Sequence, residues 1–316
     1  MEIRTRFAPS PTGYMHLGNI WVAFLNWWWT RQQRGKIILR IEDIDQVRCH
    51  KEYISAIQED LTWLGLDWDE GPEDVYAYGP LQQSHRYEIY KAIQKKWEKE
   101  YLLYPCFCSR ARIHKISSAP HLGEETPTYD GHCRNLSESI QRSMHKTPSW
   151  RIKVNKEEIS FDDMFCGHQV KVMEACSDDF IIFRADGAVA YQLAVSADDG
   201  AMGITHVFRG NDLLPSTFYQ IYLLERLGYK LPSYGHLPLL VDNTGVRLSK
   251  RQHGITVKEL REAGISAEQI IGQLLFWAGA LKTVLPVSAE TALKNISFDS
   301  CQYINKSIIK ADTIWE

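Results

Sequence analysis

The sequence predicts an α/β protein organised on a parallel sheet, and two observations carry that prediction. Residues 2 to 42 run strand, glycine-containing turn, helix, strand, the order of a βαβ unit, and the same patterning returns at THVFRGNDLL and STFYQIYLLERLGY after an interval of short strands. EIRTRFA (2–8) reads as a first short strand and PSPTGYM as irregular. LGNIWVAFLNWWWTRQQ reads as a helix ended by Gly35, with the tryptophans Trp27 to Trp29 as helix packing with one exposed ring. KIILRIED is a β-branched run suited to a buried parallel strand, YISAIQEDLTWLGL an amphipathic helix, and HRYEIYKAIQKKWEKEY another. Residues 104 to 135 are rich in cysteine, histidine and proline and follow neither period. WRIKV, HQVKVM, FIIFRADG and AVAYQLAVS read as strands, and the chain beyond Ile265 as mostly helical, with no readable motif in 280–316.

Bulk composition bounds the function classes. At 316 residues, 44% hydrophobic and 24% charged, the chain suits a soluble globular protein of two or three domains. The apolar cluster WVAFLNWWW is too short to span a bilayer and no signal pattern opens the chain, so a cytoplasmic protein without membrane attachment is expected. Seven cysteines, two of them at Cys106 and Cys108, favour metal binding or free thiols over a disulfide framework. With a net charge of -3, a nucleic-acid partner must be held by a local basic surface.

The stretch RFAPSPTGYMHLGN (6–19) has a chemical rationale. A loop leading from a first strand to a helix N-terminus presents free N–H groups to an anion, and small residues let a phosphate approach. Pro9 and Pro11 stiffen that loop, Gly13 and Gly18 leave room, and His16 offers a donor. Alone, H-x-G is a weak signal, because a proline-stiffened turn with a packed histidine looks the same. A second stretch, VRLSKRQHG (246–254), adds Ser249, Lys250 and Arg251 on a glycine-bounded loop, a cationic clamp able to stabilise charge as a phosphoryl bond breaks.

Between them, YPCFCSRARIHKISSAPHLGEETPTYDGHCRN offers C-x-C-x20-Y-x3-C, from Cys106, Cys108, Tyr129 and Cys133. Three soft thiolates and a phenolate suit tetrahedral Zn²⁺ with a structural role, since four protein ligands leave no open position. His132 and His121 are rival fourth ligands on spacing alone. Cys49, Cys166, Cys176 and Cys301 read as ordinary core or surface residues.

In their order along the chain, RFAPSPTGYMHLGN, RIEDID, THVFRGNDLL and RLSKR resemble the class I glutamyl-tRNA synthetases: HLGN looks like the HIGH motif and RLSKR like KMSKS, with Asn19 and Arg247 as mild departures. The resemblance covers about residues 3 to 260. It implies a Rossmann-type catalytic domain that joins ATP, with Mg²⁺ on its phosphates, to L-glutamate as glutamyl-adenylate. His16 and Lys250 are then the candidates for charge neutralisation, with Gly18 beside them in ATP binding. Arg6, Ala8, Ser10, Glu42, Tyr191 and Arg209 occupy the positions that hold glutamate in the family. By charge, Arg6 and Arg209 would face carboxylates and Glu42 the ammonium. The resemblance divides the chain into 1–100 and 191–265 as halves of the catalytic domain, 101–190 as a zinc-containing, tRNA-contacting insertion, and 266–316 as a short helical end.

YDGHCR is similar to the zinc site of the glutamyl-queuosine tRNA(Asp) synthetases, shorter relatives in which a tyrosine is a ligand. Only 65 residues follow Arg251 (316 − 251), too few for an anticodon-binding domain. That similarity implies transfer of glutamate to queuosine in the anticodon stem-loop of tRNA(Asp) by a monomer. Lys91, Lys95, Lys96, Lys99, Arg110, Arg112 and Lys115 are candidates for phosphate contacts, with a solvated helix face as the plain alternative. Two other readings stand beside it: a glutamyl-tRNA synthetase charging the 3′ end of tRNA(Glu), and a non-catalytic paralogue that binds tRNA or adenylate.

Overall fold

The computed structural model describes residues 2–74, 76–109, 111–113, 129–242, 244–246, 248 and 255–311. Ser249, Lys250 and Arg251, with Arg247, Arg110, Lys115 and His121, therefore lie outside the described residues.

The chain opens as its pattern predicts. Strand β1 (Arg4–Phe7) and helix α1 (Leu17–Gln32) lead to β2 (Lys36–Leu39), and β1 and β2 are parallel, with Arg6 opposite Ile38. Helices α2 (Lys51–Trp63) and α3 (Tyr87–Lys99) follow. The middle of the chain holds β3 (Leu103–Cys106), α4 (Glu138–Ser143), β4 (Ser149–Ile152), β5 (Glu157–Asp163), β6 (Gly167–Met173) and β7 (Phe180–Phe183). Next come α5 (Tyr191–Ala201), β8 (His206–Gly210), α6 (Leu214–Leu227), β9 (Ser233–Leu237) and β10 (Leu239–Val241). The C-terminal part contributes α7 (Val257–Glu262), α8 (Ala267–Ala278), α9 (Ala289–Asn295) and β11 (Ile308–Lys310).

Parallel pairing of β8 with β9 continues the parallel pairing of β1 with β2, because Thr205, just before β8, donates its N–H to the Arg4 carbonyl at 2.9 Å. The antiparallel hairpin β5–β6 then attaches to β9 at Asp163 and Tyr234, so the hairpin extends the sheet that β8 and β9 belong to. Strands β3, β4 and β7 form their own antiparallel sheet. One apolar core joins α1 to α8 and α9 through Phe24, Trp28 and Leu274; a second gathers α3, α5 and α6 around Trp97, Leu193 and Tyr222.

Two local expectations need correction, and two strands went unread. AVAYQLAVS is not a strand beyond a single bridge at Val189: Tyr191–Ala201 is helical, because the apolar run continues into SADDGA and residues 193 to 199 are buried on all sides. A helix buried all round has no polar stripe, and a short window then mimics a strand. EEISFDD forms β5, which its charges concealed, and IIK in the silent tail pairs with β10 as β11. The tryptophan triplet has no exposed ring: Trp27 and Trp28 are buried and Trp29 packs against His206 and Phe208 at 4.9 and 5.0 Å. No helix among the described residues is long and apolar enough to cross a membrane.

Candidate active site and metal centre

The loop after β1 is anchored by its prolines. Pro9 and Pro11 are buried and lend their carbonyls to the N–H groups of Glu42 (3.0 Å) and His50 (3.1 Å), tying the loop to the segment after β2. His16 then caps α1. Its Nδ1 accepts the Asn19 N–H at 3.3 Å while the Asn19 side chain accepts the His16 N–H at 3.1 Å, a reciprocal capping box worth about 1 kcal/mol. Asn19, the departure from the usual motif, thus does local work. Burial lowers the His16 imidazole from its ordinary value. The ring is therefore neutral, and with Nδ1 accepting, its proton sits on Nε2. At Gly18, a Cβ would lie 3.1 Å from that ring, so glycine is what lets His16 turn back over the helix start.

A cavity of about 500 Å³ opens in front of the cap. Arg6, Ala8, Ser10, His16, Gly18, Glu42, Tyr191 and Arg209 all line it, so every described residue expected at the nucleotide and glutamate sites meets here. His16, Gly18 and Gly210 continue into a cavity of about 240 Å³ bordered by Asp212, Leu239 and Leu240. On the other side Ser10, Thr12, Glu42 and Tyr191 also line a larger one, about 940 Å³. His16 is bridged to Thr256, and the Val257 N–H donates to the Met15 carbonyl at 2.9 Å. The segment that follows Lys250 is thereby stitched to the cap.

Beneath the cavity lies a buried charge cluster that sequence reasoning missed in part. Asp199, on α5, accepts from Arg6 Nε at 3.2 Å and from Arg40 Nη1 at 2.7 Å, and Arg40 Nη2 reaches Glu42 at 3.0 Å. Arg6 Nη1 also donates to the Phe208 carbonyl at 3.2 Å. Burial would raise the Asp199 carboxyl, yet the two guanidiniums outweigh it and hold it below the ordinary range. Glu42 goes the other way: burial outweighs Arg40 and Arg6 and raises its carboxyl. Tyr191 is 37% exposed, but its phenol faces the cavity among protein groups and is raised by desolvation.

Arg209 differs from Arg6. Its guanidinium is 4% exposed and gives its hydrogen bonds to His236 Nε2 (3.0 Å), Gln220 (2.6 Å) and Thr217 (2.6 Å), with no carboxylate among these partners. Its charge is oriented but not neutralised by direct contact, which suits an anionic ligand. Arg40 stands two residues before Glu42 in RIEDID, so an extended-chain reading had the means to find it. Asp199, His236, Thr217 and Gln220 carried no local signal.

The thiols of Cys106, Cys108 and Cys133 lie within 4.8 Å of one another and can bind a metal ion. Tyr129, buried, has its hydroxyl 3.6 Å from Cys106 Sγ and 2.9 Å from the Cys133 backbone nitrogen. His132 is exposed and outside this group. Burial would raise the Cys106 thiol, but Arg151, 3.3 Å from its sulfur, and the Cys108 N–H bring it below its ordinary value. Burial and the neighbouring thiols push Cys108 up to about 12. Thiols that resist ionising together around one point can do so when a cation binds between them. Arg112 is paired with Asp130 at 2.7 Å and lies 3.4 Å from Cys108 Sγ. Lys91 donates to Gln94, whereas Lys95, Lys96 and Lys99 are exposed.

A parallel sheet whose first strand runs into an HLGN-capped helix, over a cavity lined by arginines and a carboxylate, defines a class I aminoacyl-tRNA synthetase catalytic domain. The chain belongs to the tRNA synthetases class I (E and Q), whose catalytic-domain model matches residues 2–284. It is 46% identical over 289 residues to the glutamyl-Q tRNA(Asp) synthetase of Symbiobacterium thermophilum, covering 90% of this chain and 89% of that protein. It is 44% identical to the glutamyl-Q tRNA(Asp) synthetase of Nitratidesulfovibrio vulgaris, with the same coverage of 90% and 89%. The crystal structure of the glutamate-tRNA synthetase from Elizabethkingia anophelis superposes with a TM-score of 0.80 at 27% identity, over 95% of this chain and 67% of that one.

The position of Glu42 makes a prediction for stability. Its folded-state value lies above the ordinary 4.5, so ionised Glu42 costs stability in the ligand-free protein. That cost is absent below about pH 4.5 and grows as pH rises through the folded value. Glu42→Gln is therefore expected to match wild-type Tm in acid and to exceed it at pH 7.5 in a thermal scan without ligand. A variant that is less stable at pH 7.5 would show that the Arg40 ion pair outweighs the burial of the carboxylate.

Proposed function

We propose that this chain activates L-glutamate with ATP and transfers it to queuosine in the anticodon of tRNA(Asp). The observation that carries this reading is its similarity, over nearly the full length of each, to two proteins called glutamyl-Q tRNA(Asp) synthetase. The cavity chemistry agrees with the amino acid. Glutamate brings two carboxylates and one ammonium. Arg209, without a carboxylate partner, takes the side-chain carboxylate; Arg6 takes the second; and Glu42, whose raised carboxyl seeks a cation, takes the ammonium with Tyr191 beside it. Ala8 and Ser10 form the near wall.

Activation follows from positioning and charge. The glutamate α-carboxylate oxygen attacks the α-phosphorus of ATP; the new P–O bond forms as the bond to the bridging oxygen breaks, and pyrophosphate leaves with that electron pair. Neutral His16 donates its Nε2 proton in a hydrogen bond to the phosphates, Gly18 lets them approach the start of α1, and Lys250 supplies the cation. Mg²⁺ accompanies the ATP and offsets phosphate charge. The 240 Å³ cavity takes the nucleoside end, and the acceptor enters from the 940 Å³ side to attack the adenylate carbonyl carbon, releasing AMP. Exposed Lys95, Lys96 and Lys99 suit phosphate contacts that would be salt-dependent.

The metal at Cys106, Cys108, Cys133 and Tyr129 is read as Zn²⁺ with a structural role, because three thiolates and a phenolate close a tetrahedral shell. It would pin β3 to the segment around Cys133 and so hold the part of 101–190 that meets tRNA.

Two outcomes test these readings. With labelled glutamate and ATP, queuosine-containing tRNA(Asp) trimmed of its 3′-terminal adenosine should still be labelled, whereas queuosine-free tRNA(Asp) and tRNA(Glu) should not. Label confined to intact tRNA(Glu) would identify a 3′-end synthetase instead. Elemental analysis should find about one zinc per chain. Cys133→Ser should lower both zinc content and Tm, by several degrees; a zinc-free wild type, or a variant with unchanged Tm, would remove the zinc assignment.

A further inference from the structure

Arg209 does not hold its direction alone. Behind it His236, on β9 and fully buried, accepts from Arg209 Nε at 3.0 Å through Nε2 and faces Asp163 Oδ2 at 2.5 Å through Nδ1. Asp163 ends β5, the strand by which the hairpin joins the sheet. Its other oxygen accepts the N–H groups of Phe165 (3.0 Å), Cys166 (2.9 Å) and His236 (3.1 Å). Thr217 closes the group, lying 3.1 Å from His236 Nε2 and 2.6 Å from Arg209 Nη2. All four side chains are at most 6% exposed. Burial and the nearby Arg209 lower the imidazole, while His236 and the backbone donors overcome burial and lower the Asp163 carboxyl, so the pair is a neutral ring beside a carboxylate. That fixes the tautomer: Nδ1–H donates to Asp163 and Nε2 is left as an acceptor toward Arg209.

We propose that His236 and Asp163 are positioning residues for recognition of the substrate side-chain carboxylate, acting through Arg209. The proposal rests on the reading that Arg209 meets that carboxylate. A guanidinium swings freely on its stem, and a two-point carboxylate contact is lost with a small rotation. A charged partner in direct contact would fix Arg209 but would also compete with the substrate. A neutral acceptor fixes it without competing, and Asp163, held one residue further away, keeps that acceptor in the required tautomer. The carboxylate belongs to the β5–β6 hairpin, so correct seating of the insertion on β9 is a condition for a correctly aimed Arg209. Gln220 and Thr217, both on α6, hold the other two nitrogens, so the aim is set from the sheet and from one helix together.

The test is steady-state ATP–pyrophosphate exchange, with acceptor tRNA present throughout, on His236→Asn, His236→Gln, Asp163→Asn and Arg209→Gln. Asparagine reproduces the Nδ1 side of histidine and loses the contact to Arg209; glutamine keeps an acceptor for Arg209. His236→Asn is expected to raise KM for glutamate at least tenfold and leave KM for ATP within twofold. His236→Gln should recover most of that loss, and Asp163→Asn should fall between. In an Arg209→Gln background, His236→Asn should add less than twofold. A folded His236→Asn enzyme with wild-type KM for glutamate, where Arg209→Gln raises it, would overturn the positioning role. Should His236→Asn fail to fold, a wild-type glutamate KM in Asp163→Asn would overturn it equally. Wild-type KM in Arg209→Gln would instead remove the assignment of Arg209 on which the proposal stands.

Discussion

The arrangement turns on one carboxylate shared by two arginines. Asp199 is 5% exposed, and its bonds to Arg6 and Arg40 bring together a first strand, the residue after the second strand and a helix nearly two hundred positions later. Removing one member of such a buried group typically costs about 3–5 kcal/mol, because the others are left uncompensated. What the cluster provides is placement: it sets Arg6 on the cavity wall and, through Arg40, aims Glu42 from below. The same group explains why Glu42 remains a reluctant anion while Asp199 is a stable one. Asp199 takes a guanidinium from each of two sides, and Glu42 is left with one hydrogen-bonded partner and the desolvation of its pocket.

A second constraint is the capping of α1. A histidine at a helix start can satisfy the backbone with one nitrogen and keep the other for a ligand; here Nδ1 makes the cap while the ring also lines the cavity. Nδ1 caps the helix, which leaves Nε2 as the ring's one N–H donor. The bridge from His16 to Thr256 brings the segment after Lys250 to the same spot, so two stretches 240 residues apart (256 − 16) converge on one helix terminus.

Much of the frame was readable in the sequence because its signals are local. The glycine turn after EIRTRFA, the β-branched KIIL and the amphipathic helix of α2 each fall within one window of pattern. The cavity residues Arg6, His16, Glu42, Tyr191 and Arg209 were found through motif resemblance, and the structure brings them to one wall. What stayed hidden depends on contacts between distant segments. Asp199 lies on a helix whose all-round burial looked like a strand, and Asp163 closes a strand whose charges disguised it. His236 sits inside an otherwise ordinary strand, SYGHL, where nothing short of the fold reveals Arg209 on one side and Asp163 on the other. The IIK strand pairs with β10 some seventy residues away and has too few residues to announce itself.

Under the proposed function, a charge pattern of Arg209 without a carboxylate partner, shared Arg6 and reluctant Glu42 selects an acidic side chain beside a nucleotide. Calorimetric titration with glutamyl-sulfamoyl-adenosine and with its glutaminyl counterpart tests it most directly, since the two differ only in the side-chain group that Arg209 is proposed to meet. The charge pattern predicts that the glutamyl compound binds at least tenfold more tightly, about 1.4 kcal/mol or more. Equal affinities, or tighter binding of the glutaminyl compound, would contradict it.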